Sequence, residues 1–232
     1  MKVLVACEES QRVCTEFRKL GHEAYSCDIE PCSGGHPEWH IQYDVLKLLY
    51  PEVMICSFDY SIKDEMYGTF KTMDGKLHEL PPKWDLIIAH PPCTYLSNAG
   101  ARFLYPKGIL NEDRLKLGLA AKVFFMKIYN ADCEKIAIEN PIPSKVYGLP
   151  QYTQTIQPYE FGHPYQKKTC LWLKGLKPLQ PTDILPKEKR QSTKIAGNWF
   201  NKGGKERQKN RAKTFPGIAK AMAEQWGKEL SE

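Results

Sequence analysis

The sequence has no apolar run approaching the roughly 18 residues that a bilayer-spanning helix requires, so no membrane is expected among its partners. A signal-peptide pattern is missing too. MKVLVACEES carries one lysine and a short apolar run that stops at two glutamates, which reads as a first strand. Nor is there a disulfide framework. The eight cysteines are scattered without tight spacing, in a chain of 232 residues that can bury a core without staples. The expected compartment is therefore a reducing cytoplasm. With 42% hydrophobic residues the chain reads as globular, one large domain or one domain with appendages.

Positive charge is in excess and unevenly spread. The net charge is +6, yet residues 187–213 hold ten Lys/Arg against two Glu, a local balance of +8 that leaves the remainder near −2. Trp199, Phe200, Gly203 and Gly204 are interleaved there. Such a segment suits a polyanion, with lysines meeting phosphates and an aromatic stacking on a base. A solvated loop without a ligand is the plainer alternative.

The chain order predicts an α/β fold. KVLVA (2–6), HEAYSCDI (22–29), WDLIIAH (84–90), KIAIEN (135–140) and KTCLWLKG (168–175) read as strands. Residues 10–20 carry Val13, Phe17 and Leu20 at helical spacing, with Gly21 as a stop. Residues 111–130 read as the longest helix, capped by Asn111, with Leu115, Leu119, Val123 and Ile128 as its inner face. FPGIAKAMAEQWGKEL (215–230) reads as a terminal helix. Strands alternating with helices imply a mostly parallel sheet covered on both faces, with ligands beyond the carboxyl ends of its strands.

Four of those strand ends carry polar residues: Cys7-Glu8, Asp28, Cys93 and Glu139. If the strands are parallel neighbours, all four face one crevice. Asp28 has the position of an acid that holds ribose hydroxyls, or of a loop cap; Asp44 could accept from an adenine amino group. Cys7, Cys14, Cys56 and Cys170 lie among apolar neighbours and read as inert. Cys93 differs: it follows a strand and two prolines, with Ser97, Asn98 and Gly100 just beyond. Opposite it, IENP (138–141) offers Glu139. A thiol and a carboxylic acid suit attack on an electron-poor heteroaromatic ring, the thiolate adding to carbon and the acid serving a ring nitrogen. Cys27, Cys32, His36 and His40 form C-x4-C-x3-H-x3-H, a spacing that permits zinc. Cys27, however, would sit on a strand with its side chain opposite Asp28, and no metal is expected.

These motifs resemble the DNA cytosine-5 methyltransferase family. HPPCTYLSNAG is similar to the family's catalytic Pro-Cys loop, and IENP to its Glu-Asn-Val motif. FGHPYQKKTCLWLKG, SCDIEP, QYDV and RAKTFPGIAKAMAEQW resemble further motifs, in family order, to about residue 227. The resemblance implies a Rossmann-like S-adenosylmethionine-dependent methyltransferase fold. It implies a core over 1–175, a short basic segment at 176–210 in place of a target-recognition domain, and a terminal helix at 211–232 packing back. It implies S-adenosylmethionine held by Cys7, Glu8, Ser10, Asp28, Ile29, Asp44 and His90. Pro92, Cys93, Glu139 and Lys168 are the implied catalytic residues. Asn98, Gln166, Lys167, Lys205, Arg207, Lys209 and Arg211 would meet nucleic acid.

Three departures stand out. The first loop, VACEES, lacks the family's glycines, which limits close backbone approach to a ligand; Glu8 could still bond the amino group of a methionine moiety. Lys168 and Cys170 stand where two arginines are expected, and lysine offers charge without a bidentate fork. Only about 35 residues fill the recognition gap, while an insert occupies about 46–82. The implied acceptor is DNA, duplex or single-stranded. The alternatives are a cytosine nucleotide or RNA, or a non-catalytic nucleic-acid or cofactor-binding role. A partner protein or second copy could supply recognition.

Overall fold

The computed structural model describes residues 1–51, 68–191 and 210–228. Its strands are β1 (Lys2–Ala6), β2 (Glu23–Asp28), β3 (His40–Gln42), β4 (Thr69–Lys71), β5 (Leu77–Glu79), β6 (Leu86–Ala89), β7 (Ile136–Pro141), β8 (Gln154–Ile156) and β9 (Thr169–Lys174). The helices are α1 (Arg12–Lys19), α2 (Val45–Leu49), α3 (Asn98–Ala101), α4 (Glu112–Tyr129) and α5 (Pro216–Lys228). Seven strands form one sheet in the order β3-β2-β1-β6-β7-β9-β8. The run from β3 to β7 is parallel, whereas β9 is antiparallel to both β7 and β8. The strand order reverses between β1 and β6, as in doubly wound Rossmann-like sheets, and the crevice at that reversal is where such sheets hold ligands.

The central strands are apolar on both sides because both faces are covered. On one face Val3, Val5, Leu86, Ile88 and Ala137 pack with Val13 and Phe17 of α1 and Ile218, Met222 and Trp226 of α5. On the other, Leu4, Ala6, Ile87, Ala89, Ile136 and Ile138 pack with Val45 and Leu48 of α2 and Phe125 and Ile128 of α4. Each large side chain so removed from water contributes about 2–3 kcal/mol against its ordering cost.

Asn111 caps α4 as expected, its Oδ1 accepting from the Arg114 N–H at 3.0 Å. The inner face of α4 is a correction. Leu119 and Val123 are exposed, while Gly118, Phe125 and Ile128 are buried. The helix is apolar on several sides, so spacing alone allows more than one stripe. Gly118 decides between them: a side chain there would run into the ring of Tyr147, which lies against the helix at this point. The insert contributes α2 and the β4–β5 hairpin, in which Phe70 stacks on His78 and meets Tyr25 edge-on. Residues 52–67 of that insert, Cys56 included, lie outside the described residues.

Candidate functional site

The carboxyl ends of β2, β1, β6 and β7 open on the same edge of the sheet, so the four polar strand ends share one crevice. Its two sides differ in construction.

On the β6–β7 side, the pairing of Ala89 with Ile138 makes His90 and Glu139 the next residues in register. They share a face by two-residue alternation. His90 donates from Nδ1 to Glu139 Oε2 at 2.9 Å, with the two side chains only 9% and 13% exposed. Burial pushes the imidazolium toward losing its proton, but the hydrogen bond and charge of Glu139, with Glu8 behind, outweigh it and raise the His90 pKa. Burial likewise pushes Glu139 up, and the His90 hydrogen bond with the charge of Lys167 outweighs it, so its carboxyl sits below the ordinary range. His90 Nε2 is buried and has no hydrogen-bond partner among the described residues.

Cys93 follows at the end of β6, half-buried behind a buried Pro91 and an exposed Pro92. Its loop is fastened to the chain beyond Glu139. The Asn98 N–H donates to Ile142 O at 2.8 Å, and the Ser144 N–H donates to Leu96 O at 2.7 Å. From behind, Arg114 donates to Thr94 O at 3.0 Å and lies over the rings of Tyr95 and Phe103. Burial raises the Cys93 pKa and the Glu139 carboxylate adds to it, while Lys167 and Arg211 oppose both.

The charge that reaches this pair is therefore that of Lys167. Lys168, expected as the catalytic lysine, is exposed, and its influence falls on Cys170. Adjacent residues leading into β9 take opposite sides, so a one-residue difference decides which lysine faces the crevice. Lys167 is steered by its Nζ, which donates to the Arg211 carbonyl at 2.8 Å.

On the β1–β3 side the first loop takes the turn that glycines would otherwise make. Cys7 and Gln11 both adopt left-handed backbone, with φ of 58° and 55°. For a residue with a side chain that conformation costs about 1–2 kcal/mol. The carboxylate of Glu8 turns inward and accepts from the Val13 and Cys14 N–H groups at 2.8 and 3.2 Å. It thus fills the amino end of α1, where a ligand anion could otherwise sit. Glu8, expected to bond a ligand amine, thus carries a helix cap on its two oxygens, and burial raises its pKa. His90, expected beside the cofactor, is hydrogen-bonded to Glu139.

Asp28 ends β2 half-exposed, with Oδ1 accepting from the Glu30 N–H at 3.0 Å; burial raises its pKa. Asp44 Oδ1 caps α2 by accepting from the Leu46 N–H at 2.9 Å. Both carboxylates bear on Cys7, whose thiol is pushed far up by burial first and by these charges second. Ile29 stands 72% exposed beside Asp28, and Ser10 is half-buried in the first loop. Two carboxylates, an exposed apolar side chain and no ready anion seat on α1 fit a cationic, hydroxyl-bearing ligand with a flat ring.

The remaining candidates are dispersed. Asn98 and Gln166 are exposed, and Arg211 is exposed near the crevice. Lys205, Arg207 and Lys209, with Trp199 and Phe200, lie outside the described residues. The described part of the basic segment is a strap on residues 159–164. Gly162 N–H donates to Asp183 O at 2.8 Å, Leu185 N–H to Tyr159 O at 2.8 Å, and Arg190 lies 3.8 Å over the Tyr159 ring. The zinc spacing is not gathered into a site: both His40 nitrogens are engaged, by Ser26 and Glu30, and Cys27 Sγ donates to Tyr43 O. Among the described residues, no group of three or more His, Cys, Asp or Glu is placed to hold a metal ion.

No family model and no curated protein matches the sequence. Among solved structures, the chain is similar to one from E. coli described as a candidate DNA modification methyltransferase encoded within a prophage, at 14% identity and a TM-score of 0.42. The match covers 80% of this chain and 52% of that one, so the chain spans about half that structure's length.

Proposed function

We propose that this protein is an S-adenosylmethionine-dependent methyltransferase acting on carbon-5 of cytosine in DNA through a covalent Cys93 adduct. One observation carries the reading. The half-buried thiol of Cys93, in the loop after β6, and the nearly buried carboxylate of Glu139, on the adjacent parallel strand β7, sit on segments hydrogen-bonded to one another.

In this reading the Cys93 thiolate adds to carbon-6, and Glu139 serves ring nitrogen 3 and the exocyclic amine. Electron density then builds at carbon-5. Asp28 would hold the cofactor's ribose hydroxyls, Ile29 its adenine face and Asp44 its amino group, with Cys7 and Ser10 lining the same side. When bound, S-adenosylmethionine supplies the electrophilic methyl group that carbon-5 takes. A base removes the carbon-5 proton and the thiolate leaves. A cytosine in duplex must first leave the stack, at a cost of a few kcal/mol.

A second reading keeps the chemistry and changes the acceptor to single strands, RNA or a free cytosine nucleotide. The strap over 159–164 favours it, because these described residues offer little with which to read a duplex. Radiolabelled methyl transfer to duplex DNA, single-stranded DNA, RNA and dCMP, run in parallel, separates the two. Adduct formation on an acceptor with fluorine at carbon-5, where no proton can be removed, tests the covalent step. The expected result is labelled product from at least one acceptor and an adduct at Cys93. Cofactor binding without transfer to any of the four overturns both readings and leaves a binding role.

A further inference from the structure

An acid that serves ring nitrogen 3 must have a proton to give, and Glu139 is held in a form that has none. Its Oε2 accepts from His90 Nδ1 at 2.9 Å, in a place where both side chains are nearly closed to solvent. A buried carboxylate in contact with an imidazole is stable as an ion pair, with the exchangeable proton resting on the histidine. The groups facing this pair come from every neighbouring element. Glu8 approaches from the β1–α1 loop, Lys167 from the segment before β9, and Cys93 from the loop after β6. His90 Nε2 stays buried without a partner, so the Glu139 contact is the ring's one hydrogen bond in the described structure.

We infer that His90 and Glu139 act as one proton-holding unit, in which His90 works through Glu139 to deliver and retrieve the proton of the cytosine ring. The inference rests on the methyl-transfer reading above. As the Cys93 sulfur bonds to carbon-6, the carbon-5–carbon-6 π pair is released toward carbon-5 and ring nitrogen 3 becomes basic. The proton passes from Nδ1 to the carboxyl group and from the carboxyl group to ring nitrogen 3, leaving His90 neutral. On elimination the sulfur–carbon bond breaks, ring nitrogen 3 returns its proton to Glu139, and His90 is again cationic. His90 is a positioning residue here, since it does not itself touch the ring. The pairing also changes which group governs the alkaline limit: transfer fails as pH rises through the raised His90 pKa rather than through that of a lone carboxyl.

The test has two readouts. In the free protein, the His90 imidazole is titrated by NMR in wild type and in Glu139→Gln. The expected result is a raised pKa that falls by at least about one unit in the variant, the size of a close charge partner; an unchanged value overturns the unit. With the best acceptor, kcat is measured against pH for wild type and His90→Asn, which keeps a neutral donor to Glu139 but no titratable proton. General-acid participation is worth about 10²–10⁴-fold, so kcat should fall by that order and the alkaline decline should vanish. An active wild type whose His90→Asn form keeps the same alkaline decline overturns the inference alone. A wild type inactive on every cytosine acceptor overturns the methyl-transfer reading and the inference with it.

Discussion

The two sides of the crevice are built with opposite electrostatics on the same sheet edge. The β1–β3 side carries Asp28 and Asp44 turned toward Cys7, and it seals the amino end of α1 with Glu8. The β6–β9 side surrounds a thiol and a carboxylate with His90, Lys167 and Arg211. The first arrangement disfavours anions and suits a cationic ligand. The second sets the charges of Lys167 and Arg211 against the burial and the Glu139 carboxylate that together hold the Cys93 pKa up. In the methyl-transfer reading proposed above, one topological reversal would put the seat of a positively charged methyl donor beside that of its acceptor.

Breaking the second side at Cys93, the proposed nucleophile, should have the largest effect. Cys93→Ser is expected to lower methyl transfer at least about a thousandfold, measured with radiolabelled cofactor, while leaving cofactor binding intact. Equal loss of binding would deny that the two sides are separable. Next comes the ion pair. Glu139→Gln leaves a buried partner uncompensated and should cost about 3 kcal/mol in urea unfolding near neutral pH. The raised His90 pKa means its share is fully present below the ordinary 6.5 and is lost as pH rises through the folded value. The lowered Glu139 pKa means its share is present above the ordinary 4.5 and is lost as pH falls through the folded value. The difference between wild type and variant should therefore peak between those limits and narrow at both ends. A flat difference would mean the pair is not ionised.

On the first side, Glu8→Ala strips the acceptor from two N–H groups of α1 and should cost about 2 kcal/mol. For a chain of this size that is a fall in Tm of roughly 4–8 °C by calorimetry. An unchanged Tm would remove Glu8 from the account of the helix. Asp28→Asn should weaken S-adenosylmethionine by about tenfold in titration calorimetry, the worth of one charge-assisted bond. If it tightened binding, the acidic side would not be the cofactor's. The smallest effect is expected from Lys167→Met. Since Lys167 opposes the rise in the Cys93 pKa, its loss should slow iodoacetamide labelling of Cys93 about threefold at neutral pH, read by peptide mapping. Faster labelling would reverse the assigned polarity.

Much of this architecture was legible in particular residues. WDLIIA and KIAIEN are apolar without alternation, which marks strands covered on both faces, and their polar ends converge because such strands run parallel. The antiparallel course of β9 was not legible, since KTCLWLKG looks the same read in either direction. At three residues each, β3 and β8 are too short for a period to show. The choice between Lys167 and Lys168 turned on a parity that only the sheet fixes. The partnership of His90 with Glu139 had a signal: each lies near the carboxyl end of a run that reads as a parallel strand, WDLIIAH and KIAIEN, so the two can share a face. The turn at Cys7 had none, because left-handed backbone at a residue with a side chain is imposed by what surrounds it.

Gly118 lies well along α4, remote in sequence from every residue of the crevice, yet the ring of Tyr147 occupies the space its side chain would need. Tyr147 closes the short turn that leads away from Glu139 and the Ser97–Pro143 bridge. In a library of random variants, position 118 would then score with the Cys93 loop rather than with its exposed helical neighbours Leu117 and Leu119. Intolerance at such a position measures how far the demand for an exact loop position extends into the scaffold, and it would mislead any search that equates sensitivity with chemistry.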